Sequence, residues 1–221
     1  MKFLKMSPIG LCIAIILCSC SLAEISDNPI NVNELPSPFY DERGKGYTYP
    51  VVKIGQQYWM AENLQLETVS SICYLEDVSN CKIYGRLYSS PTDLCPTGWH
   101  VPTDEDWQDL FDHLGGKSLA GGKLKSVSDY WDRPNAGATN ISGFNALPGG
   151  FARTFLNNFQ VRTEFKEMNR EARFWTATQS SQAKTFRHFS LSVRSMGVKK
   201  VDSTWENFPI EFYSCRCVMD Q

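Results

Sequence analysis

Apolar residues recur with a helical period in one stretch of the chain. These residues are Trp107, Leu110, Phe111 and Leu114. Thr103 is a suitable N-cap before them, Asp106 follows three residues later as in a capping box, and Gly115 ends the predicted helix. A second, shorter helix is expected over residues 118–127, where two adjacent glycines lower the helix propensity.

Several shorter stretches have the β-branched and aromatic composition of strands. Residues 51–54 and 58–60 predict a hairpin that turns at Gly55. Further strands are predicted at residues 84–88, 174–178, 189–193 and 212–218. From residue 144 onward, the pattern otherwise indicates short strands and long polar loops. We therefore expect an α+β domain with one or two helices packed on small antiparallel sheets.

The N-terminus has the pattern of a lipoprotein signal peptide. Lys2 and Lys5 precede an apolar run over residues 9–17, which is too short to cross a membrane. The run ends in Leu-Cys-Ser-Cys at residues 17–20, which resembles the bacterial lipobox. Residues 1–19 are thus predicted to be cleaved, which leaves Cys20 as the lipidated first residue. An ordinary secretory signal with incidental cysteines is the alternative.

Residues 20–46 contain three prolines among polar residues and show no sustained period, so a flexible tether is expected there. The folded domain is expected over residues 47–221. Ser21 stands where Asp would retain a Gram-negative lipoprotein in the inner membrane. The expected location is therefore the cell envelope, as an outer-membrane lipoprotein whose lipid anchor makes the membrane one partner.

Composition adds two constraints. With 221 residues, of which 42% are hydrophobic and 13% aromatic, the chain can bury one substantial core. Its net charge of −2 argues against nucleic acid as a partner, because such binding requires a basic surface.

Five cysteines follow the predicted lipidation site: Cys73, Cys81, Cys95, Cys215 and Cys217. In an oxidising compartment they are expected to form disulfides. Cys73 and Cys81 flank a short polar loop and would form a local bridge. Either Cys215 or Cys217 could pair with Cys95, since they share one face of a predicted strand. The spacings lack a paired Cys-x-x-Cys signature, so no metal or cofactor is expected.

Eight motifs carry a family resemblance. They are Val-Lys-Ile-Gly (52–55), Trp-Met-Ala-Glu-Asn-Leu (59–64), Cys-Tyr (73–74), Tyr-Gly-Arg-Leu-Tyr (84–88), Cys-Pro-Thr-Gly-Trp-His-Val-Pro (95–102), Gly-Phe-Asn-Ala-Leu-Pro-Gly-Gly (143–150), Phe-Trp-Thr (174–176) and Arg-Cys-Val (216–218). In this order they resemble the Fibrobacter succinogenes major paralogous domain over nearly all of residues 47–219. The resemblance implies a Cys95–Cys217 disulfide and leaves Cys215 as the spare thiol.

The motif at residues 143–150 and the terminal Arg-Cys also resemble, more distantly, the formylglycine-generating enzyme superfamily. That superfamily has a C-type-lectin-like fold. The resemblance therefore implies an elaborated, loop-rich, disulfide-bonded lectin-like domain. Fold alone does not determine activity, so the function must be argued from particular residues.

Two functions follow from the resemblance. The first is a noncatalytic adhesion module for polysaccharide or matrix protein, with Tyr130, Trp131, Trp205 and Arg153 as candidate ligand contacts. Aromatic residues in such loops are more often packed in the core than exposed to a ligand. The second is an oxidoreductase of the formylglycine-generating type, which needs a reactive cysteine pair that binds copper.

No catalytic residues are assigned. Cys215 and Cys217 are the only closely spaced cysteines of the domain, but the resemblance commits Cys217 to a disulfide. The three histidines, His100, His113 and His188, form no metal-binding pattern, and the acidic run at residues 104–106 suits a helix N-terminus. Calcium-dependent sugar binding is also not expected, because Arg133-Pro134-Asn135 lacks an acidic ligand.

Overall fold

The computed structural model describes residues 38–157, 160–180, 186–202 and 209–221. The predicted signal peptide, the predicted lipidation site Cys20 and the predicted tether up to residue 37 lie outside these residues, as does Trp205. None of the helices in the described residues is both long enough and apolar enough to cross a membrane.

The described part of the chain has an α+β fold with three α-helices. The helices are α1 (Val78–Tyr84), α2 (Asp104–His113) and α3 (Lys117–Leu124), and a 3-10 turn covers Tyr74–Glu76. The strands are β1 (Phe39–Asp41), β2 (Tyr47–Tyr49), β3 (Val51–Ile54), β4 (Gln57–Met60), β5 (Ser71–Ile72), β6 (Leu87–Tyr88), β7 (Trp99–His100), β8 (Gly149–Asn157), β9 (Gln160–Met168), β10 (Glu171–Gln179), β11 (Phe186–Ser192), β12 (Val198–Asp202), β13 (Ile210–Ser214) and β14 (Val218–Met219).

The strands of the described ranges form three sheets. Strands β1 and β2 make a separate hairpin, and four strands pair in the order β3-β4-β14-β7. The remaining eight strands form a sheet in the order β12-β11-β10-β8-β13-β6-β5, with β9 paired to β8. Pairing is antiparallel except where β10 meets β8 and β13. The C-terminal strand β14 thus lies between β4 and β7, inside its sheet.

Helix α2 confirms the helix predicted after Thr103. The Thr103 hydroxyl accepts a hydrogen bond from the Asp106 amide at 3.1 Å, and the Asp106 carboxylate accepts one from the Thr103 amide at 2.8 Å. The buried side of the helix presents Trp107, whose ring contacts four aromatic rings from outside the helix. These rings belong to Trp59, Phe144, Phe174 and Phe189. The helix therefore packs directly on the main hydrophobic core.

Helix α3 ends at Leu124, three residues before the predicted end. Gly121 and Gly122 lie inside it because two loops pass very close to the helix. A Cβ atom on Gly121 would collide with the Gly197 backbone, and one on Gly122 would collide with the Gly137 carbonyl. Here the close approach of the backbones outweighs the low helix propensity of glycine.

A buried lysine holds these loops together. Lys125 follows α3 and is fully buried, and its ammonium group donates hydrogen bonds of 2.9 Å to three backbone carbonyls. The acceptors are Ala136, Ser192 and Ser195. Burial lowers the pKa of Lys125 to about 8. The three acceptors compensate for the lost hydration of the charged form.

Other elements differ from the sequence predictions. Tyr84 ends helix α1, so the strand predicted from residue 84 is confined to Leu87–Tyr88. A long hairpin of β8 and β9 occupies a region predicted as loops. Residues 215–217 separate β13 from β14, so the two cysteines there do not lie in one strand. The prediction of one or two helices was also too low.

The predicted tether extends too far. Strand β1 pairs with β2 in register, and the ring of Phe39 lies 5.2 Å from that of Trp99. Asp41 is only 3% exposed and binds Arg43. Residues 38–46 are therefore part of the folded unit, because this hairpin buries side chains against the domain.

The structure contains the two expected disulfides, Cys73–Cys81 and Cys95–Cys217. The second joins residues 122 positions apart and connects the C-terminal segment to the middle of the chain. Cys215 is a free and buried thiol. This matches the pairing implied by the family resemblance.

Candidate binding groove

A groove of about 690 Å³ lies beside the N-terminal hairpin. Its walls are the β1–β2 hairpin with its connecting loop, residues 65–67, and helix α1 with the Cys73–Cys81 disulfide. Arg86 also lines it. We call this concavity the hairpin groove. Its volume falls in the range of about 300–1,000 Å³ that is common for small-ligand sites.

The loop that joins β1 to β2 shapes one rim of the hairpin groove. Gly44 and Gly46 have φ angles of +63° and +71°, which other residues rarely adopt. A Cβ atom on Gly46 would also collide with the Tyr40 hydroxyl. Lys45 lies between these glycines and is exposed. The two glycines thus allow the tight loop that carries this lysine.

Two tyrosines form the wall below this loop. The rings of Tyr47 and Tyr49 are 4.8 Å apart, and Tyr49 is fully buried. The Tyr49 hydroxyl accepts a hydrogen bond from the Gln65 amide, and the Tyr47 hydroxyl donates one to Glu62, both at 2.8 Å. Burial and the Glu62 hydrogen bond raise the pKa of Tyr47 to about 12. Both hydroxyls are therefore engaged in hydrogen bonds within the protein. The half-buried ring of Tyr47 borders the groove.

Arg86 connects the two remaining walls. Its Nη2 atom lies 2.5 Å from the Glu67 carboxylate, and Nη1 lies 3.4 Å from Cys73 Sγ and 3.7 Å from Cys81 Sγ. The hydrogen bond from Arg86 lowers the pKa of Glu67. One guanidinium thus joins residues 65–67 to the disulfide, and it is occupied by its own protein partners.

A second arginine of the groove also forms an ion pair with a carboxylate. Arg43 donates to both oxygens of Asp41, from Nε and Nη2, at 2.8 Å each. Burial acts to raise the pKa of Asp41, but the hydrogen bonds from Arg43 outweigh burial, so that this pKa is lowered. The pair is ionised at neutral pH and fixes the base of the hairpin loop.

Three of the four ligand contacts predicted from the sequence, namely Tyr130, Trp131 and Arg153, lie outside the hairpin groove. Tyr130 is 42% exposed and its ring packs against Tyr84, and Arg153 binds Glu211 at 2.8 Å. Neither residue lines the hairpin groove. Trp131 is only 3% exposed, and its indole N–H donates to the Ala146 carbonyl at 3.0 Å. The prediction for Trp131 was wrong, because its ring belongs to the core.

Three sulfur atoms cluster near the C-terminus. Cys95, Cys215 and Cys217 have Sγ atoms within 4.8 Å of one another, the one such group of potential metal ligands found among the described residues. Two of these atoms are joined in a disulfide. Burial raises the pKa of the remaining Cys215 thiol to about 12. Since metals and substrates react with accessible thiolates, this oxidised cluster lacks the groups such chemistry needs.

The sequence shows no metal-binding pattern around His100, and the structure places this histidine between two carboxylates. Its Nδ1 atom lies 2.6 Å from Asp220, and Nε2 lies 3.1 Å from Asp106. Asp106 is the same residue that caps α2. The histidine therefore connects the C-terminus to the start of that helix.

Several of the sequence motifs that carry the family resemblance meet around one buried side chain. Arg216 donates to the side-chain oxygen of Asn63 and to the carbonyls of Met60 and Phe144. Three separate motifs are thereby joined in the core.

A model of the Fibrobacter succinogenes major domain matches residues 52–219. The chain belongs to this family. No curated protein and no solved structure matches it.

Membership in the Fibrobacter succinogenes major domain family confirms the resemblance carried by the sequence motifs. The match covers most of the hydrophobic core, both disulfides and part of the hairpin groove. It begins at Val52, after the β1–β2 hairpin. The groove is therefore built partly by residues within the family match and partly by residues that precede it.

Proposed function

We propose that this Fibrobacter succinogenes major domain is a lipid-anchored, noncatalytic binding module that acts outside the cytoplasm. Its ligand is a polysaccharide or a matrix protein of the cell envelope, and it binds in the hairpin groove. The observation that carries the proposal is the groove itself, whose volume and aromatic wall suit a ligand.

The walls of the groove are preorganised, which favours binding. The disulfide, the Arg86–Glu67 pair and the Arg43–Asp41 pair each fix one side of it. A ligand that enters such a site loses less free energy to ordering of the protein. The half-buried Tyr47 ring offers an apolar face of the kind on which a sugar can stack.

The oxidoreductase alternative depends on the sulfur cluster. A copper-dependent reaction would require accessible thiolates, whereas Cys215 is fully buried and Cys217 is bonded to Cys95. The geometry therefore favours binding over this chemistry.

We also propose that the domain is an elaborated C-type-lectin-like fold. Support comes from the α+β composition, from the sheet that joins β3 and β4 to the C-terminal β14, and from the long-range disulfide. A solved structure superposed on lectin domains tests this assignment. A different order of strands would contradict it.

The binding proposal is tested with the purified full-length chain on arrays of glycans and matrix proteins. Val78 lines the groove and is 64% exposed, so Val78→Trp should obstruct the groove. Val127 is 69% exposed and lies outside the groove, so Val127→Trp is the matched control. We expect the first variant to lose ligand binding and the second to retain it.

Two results would overturn the binding proposal. One is unchanged binding by Val78→Trp, which would place any ligand elsewhere. The other is a chain that binds nothing on the arrays but oxidises a cysteine-containing peptide when copper is present. That result would establish the enzymatic alternative.

The anchor is tested separately. Metabolic labelling with a radioactive fatty acid should modify the wild-type chain and leave Cys20→Ser unlabelled. Equal labelling of both chains would contradict lipidation at Cys20. An unlabelled wild-type chain found in the cytosol would contradict the proposed location.

A further inference from the structure

We infer that the ligand of the hairpin groove is an anionic glycan, whose carboxylates bind Lys45 and Lys82. The inference rests on the proposed function, because it specifies the chemistry of a ligand in the same groove. It depends on the charges that line the groove and on which of them already have partners.

Six charged side chains line the hairpin groove: Asp41, Arg43, Lys45, Glu67, Lys82 and Arg86. Both carboxylates are matched by arginines, in the pairs Asp41–Arg43 and Glu67–Arg86. Within the ranges that the structure covers, neither Lys45 nor Lys82 forms an ion pair. The four cations and two carboxylates that line the groove therefore leave it a net positive charge of two.

This local charge is opposite in sign to that of the whole chain. The net charge of the protein is −2, and cleavage of the predicted signal peptide would remove two further lysines. A cleft lined by one sign of charge concentrates ligands of the opposite sign. The groove is thus a positive concavity on a negatively charged protein, which favours an anionic ligand over a neutral one.

The available cations are lysines rather than arginines, which favours a ligand whose carboxylates are distributed along its own chain. Compact phosphate groups are often bound by arginine forks, which donate two parallel hydrogen bonds. Both arginine forks of this groove are engaged by carboxylates of the protein. The two available ammonium groups are single point charges carried by different walls, Lys45 on the hairpin loop and Lys82 on α1. An oligomer with one carboxylate per sugar can contact both walls.

The remaining surface of the groove suits sugar rings. Leu66 and Val78 contribute apolar surface, and Tyr47 contributes its half-buried ring. Apolar faces of sugars pack on such surfaces while their charged groups remain at the rim. A uronic-acid oligosaccharide combines both features, and this combination distinguishes it from a simple inorganic anion.

The test compares a short oligogalacturonate with its methyl-esterified form, which has the same sugar backbone without the charges. Titration calorimetry with the full-length chain should detect binding of the acidic oligomer and much weaker binding of the ester. Binding of the acidic oligomer should also weaken as sodium chloride is added, because the lysines are exposed.

Lysine variants assign the effect to the groove. The double variant Lys45→Gln/Lys82→Gln should bind the acidic oligomer about ten-fold more weakly. Lys117 and Lys199 are exposed and lie outside the groove, so Lys117→Gln/Lys199→Gln is the control with the same change in net charge. The control should bind as the wild type does. Equal weakening in both double variants would overturn the inference.

Other outcomes separate this inference from the proposed function. If the ester binds as tightly as the acid, the anionic ligand class is wrong, but binding in the groove stands. If inorganic phosphate displaces the oligomer better than chloride at equal ionic strength, the lysines prefer phosphate to sugar carboxylates, so the inference fails while binding in the groove stands. If neither oligomer binds and Val78→Trp leaves array binding unchanged, both the inference and the proposed function fail.

Discussion

Arg216 donates two hydrogen bonds to the side-chain oxygen of Asn63, from Nε at 3.0 Å and from Nη2 at 2.6 Å. The guanidinium is 1% exposed and lies over the ring of Phe144 at 4.3 Å. No carboxylate of the described residues lies within ion-pair distance of it. Burial lowers the pKa of Arg216 to about 9. Neutral oxygens and an aromatic ring thus hold this buried charge without an ion pair.

Asn63→Ala should therefore destabilise the fold strongly. The substitution removes the acceptor of two charged donors and leaves them buried, at a cost of about 3 kcal/mol in the free energy of unfolding. Denaturant titration measures this quantity. The exposed Gln56 provides a control, because Gln56→Ala should change stability by less than about 0.5 kcal/mol. Equal stability of the two variants would contradict the role assigned to Asn63.

His100 makes stability depend on pH. The hydrogen bond that His100 donates to Asp106, opposed by partial burial and aided by the one to Asp220, raises the pKa of His100 above 6.5. Its contribution is therefore complete below pH 6.5 and is lost as the pH rises through the raised value in the folded state. Solvent screens this half-exposed site, so we expect a loss below about 1 kcal/mol.

Thermal unfolding measured across neutral pH checks this expectation. His100→Gln should flatten the decline of the melting temperature with pH, whereas His113→Gln, which removes an exposed histidine, should leave the decline unchanged. On the acidic side, burial acts to raise the pKa of Asp106, but hydrogen bonds from His100 and Thr103 lower it overall. Stability should thus also fall as the pH drops below 3.8. A profile unaffected by His100→Gln would refute the assignment.

The two disulfides should differ in their effect on stability. Cys95–Cys217 spans 122 residues and Cys73–Cys81 spans 8. In the chain-entropy model these loops correspond to about 5 and about 2.6 kcal/mol. Cys95→Ala/Cys217→Ala should therefore lower the free energy of unfolding more than Cys73→Ala/Cys81→Ala. Peptide mapping without reductant checks the connectivity, and a Cys95–Cys215 peptide would disprove it.

Cys215 should not react in the native protein. Burial raises the pKa of its thiol from 9.0 to about 12, so its thiolate population is on the order of a thousand-fold below that of an ordinary thiol. Iodoacetamide followed by peptide mapping should label Cys215 only after denaturation. Labelling of the native and denatured chains at similar rates would show that the thiol is accessible.

The sequence predicted the local elements best. Helix α2 follows from a cap and a regular apolar spacing, both of which are encoded within one short stretch. Strand β9 was missed because its side chains are mostly partly or fully exposed, so that no apolar alternation marks it. Strand β9 forms because it pairs with β8, and its own composition does not indicate this pairing.

The hairpin groove could not be predicted, because it is formed by segments distant in the sequence. Residues around Lys45 were interpreted as the end of a tether, since that segment carries prolines among polar residues and shows no sustained period. One available signal was the pair of aromatic segments, Phe39–Tyr40 and Tyr47–Tyr49, that flank the glycines and indicate a hairpin. The meeting of this hairpin with Arg86 and α1 depends on tertiary packing.

The interior position of β14 determines when the domain can fold. Val218 and Met219 occupy the gap between β4 and β7. The four-stranded sheet therefore cannot be completed until synthesis has passed residue 219. A nascent chain held open in this way suits transport through a membrane in an extended state. The strand order is thus compatible with the proposed export route, in which translocation comes before folding.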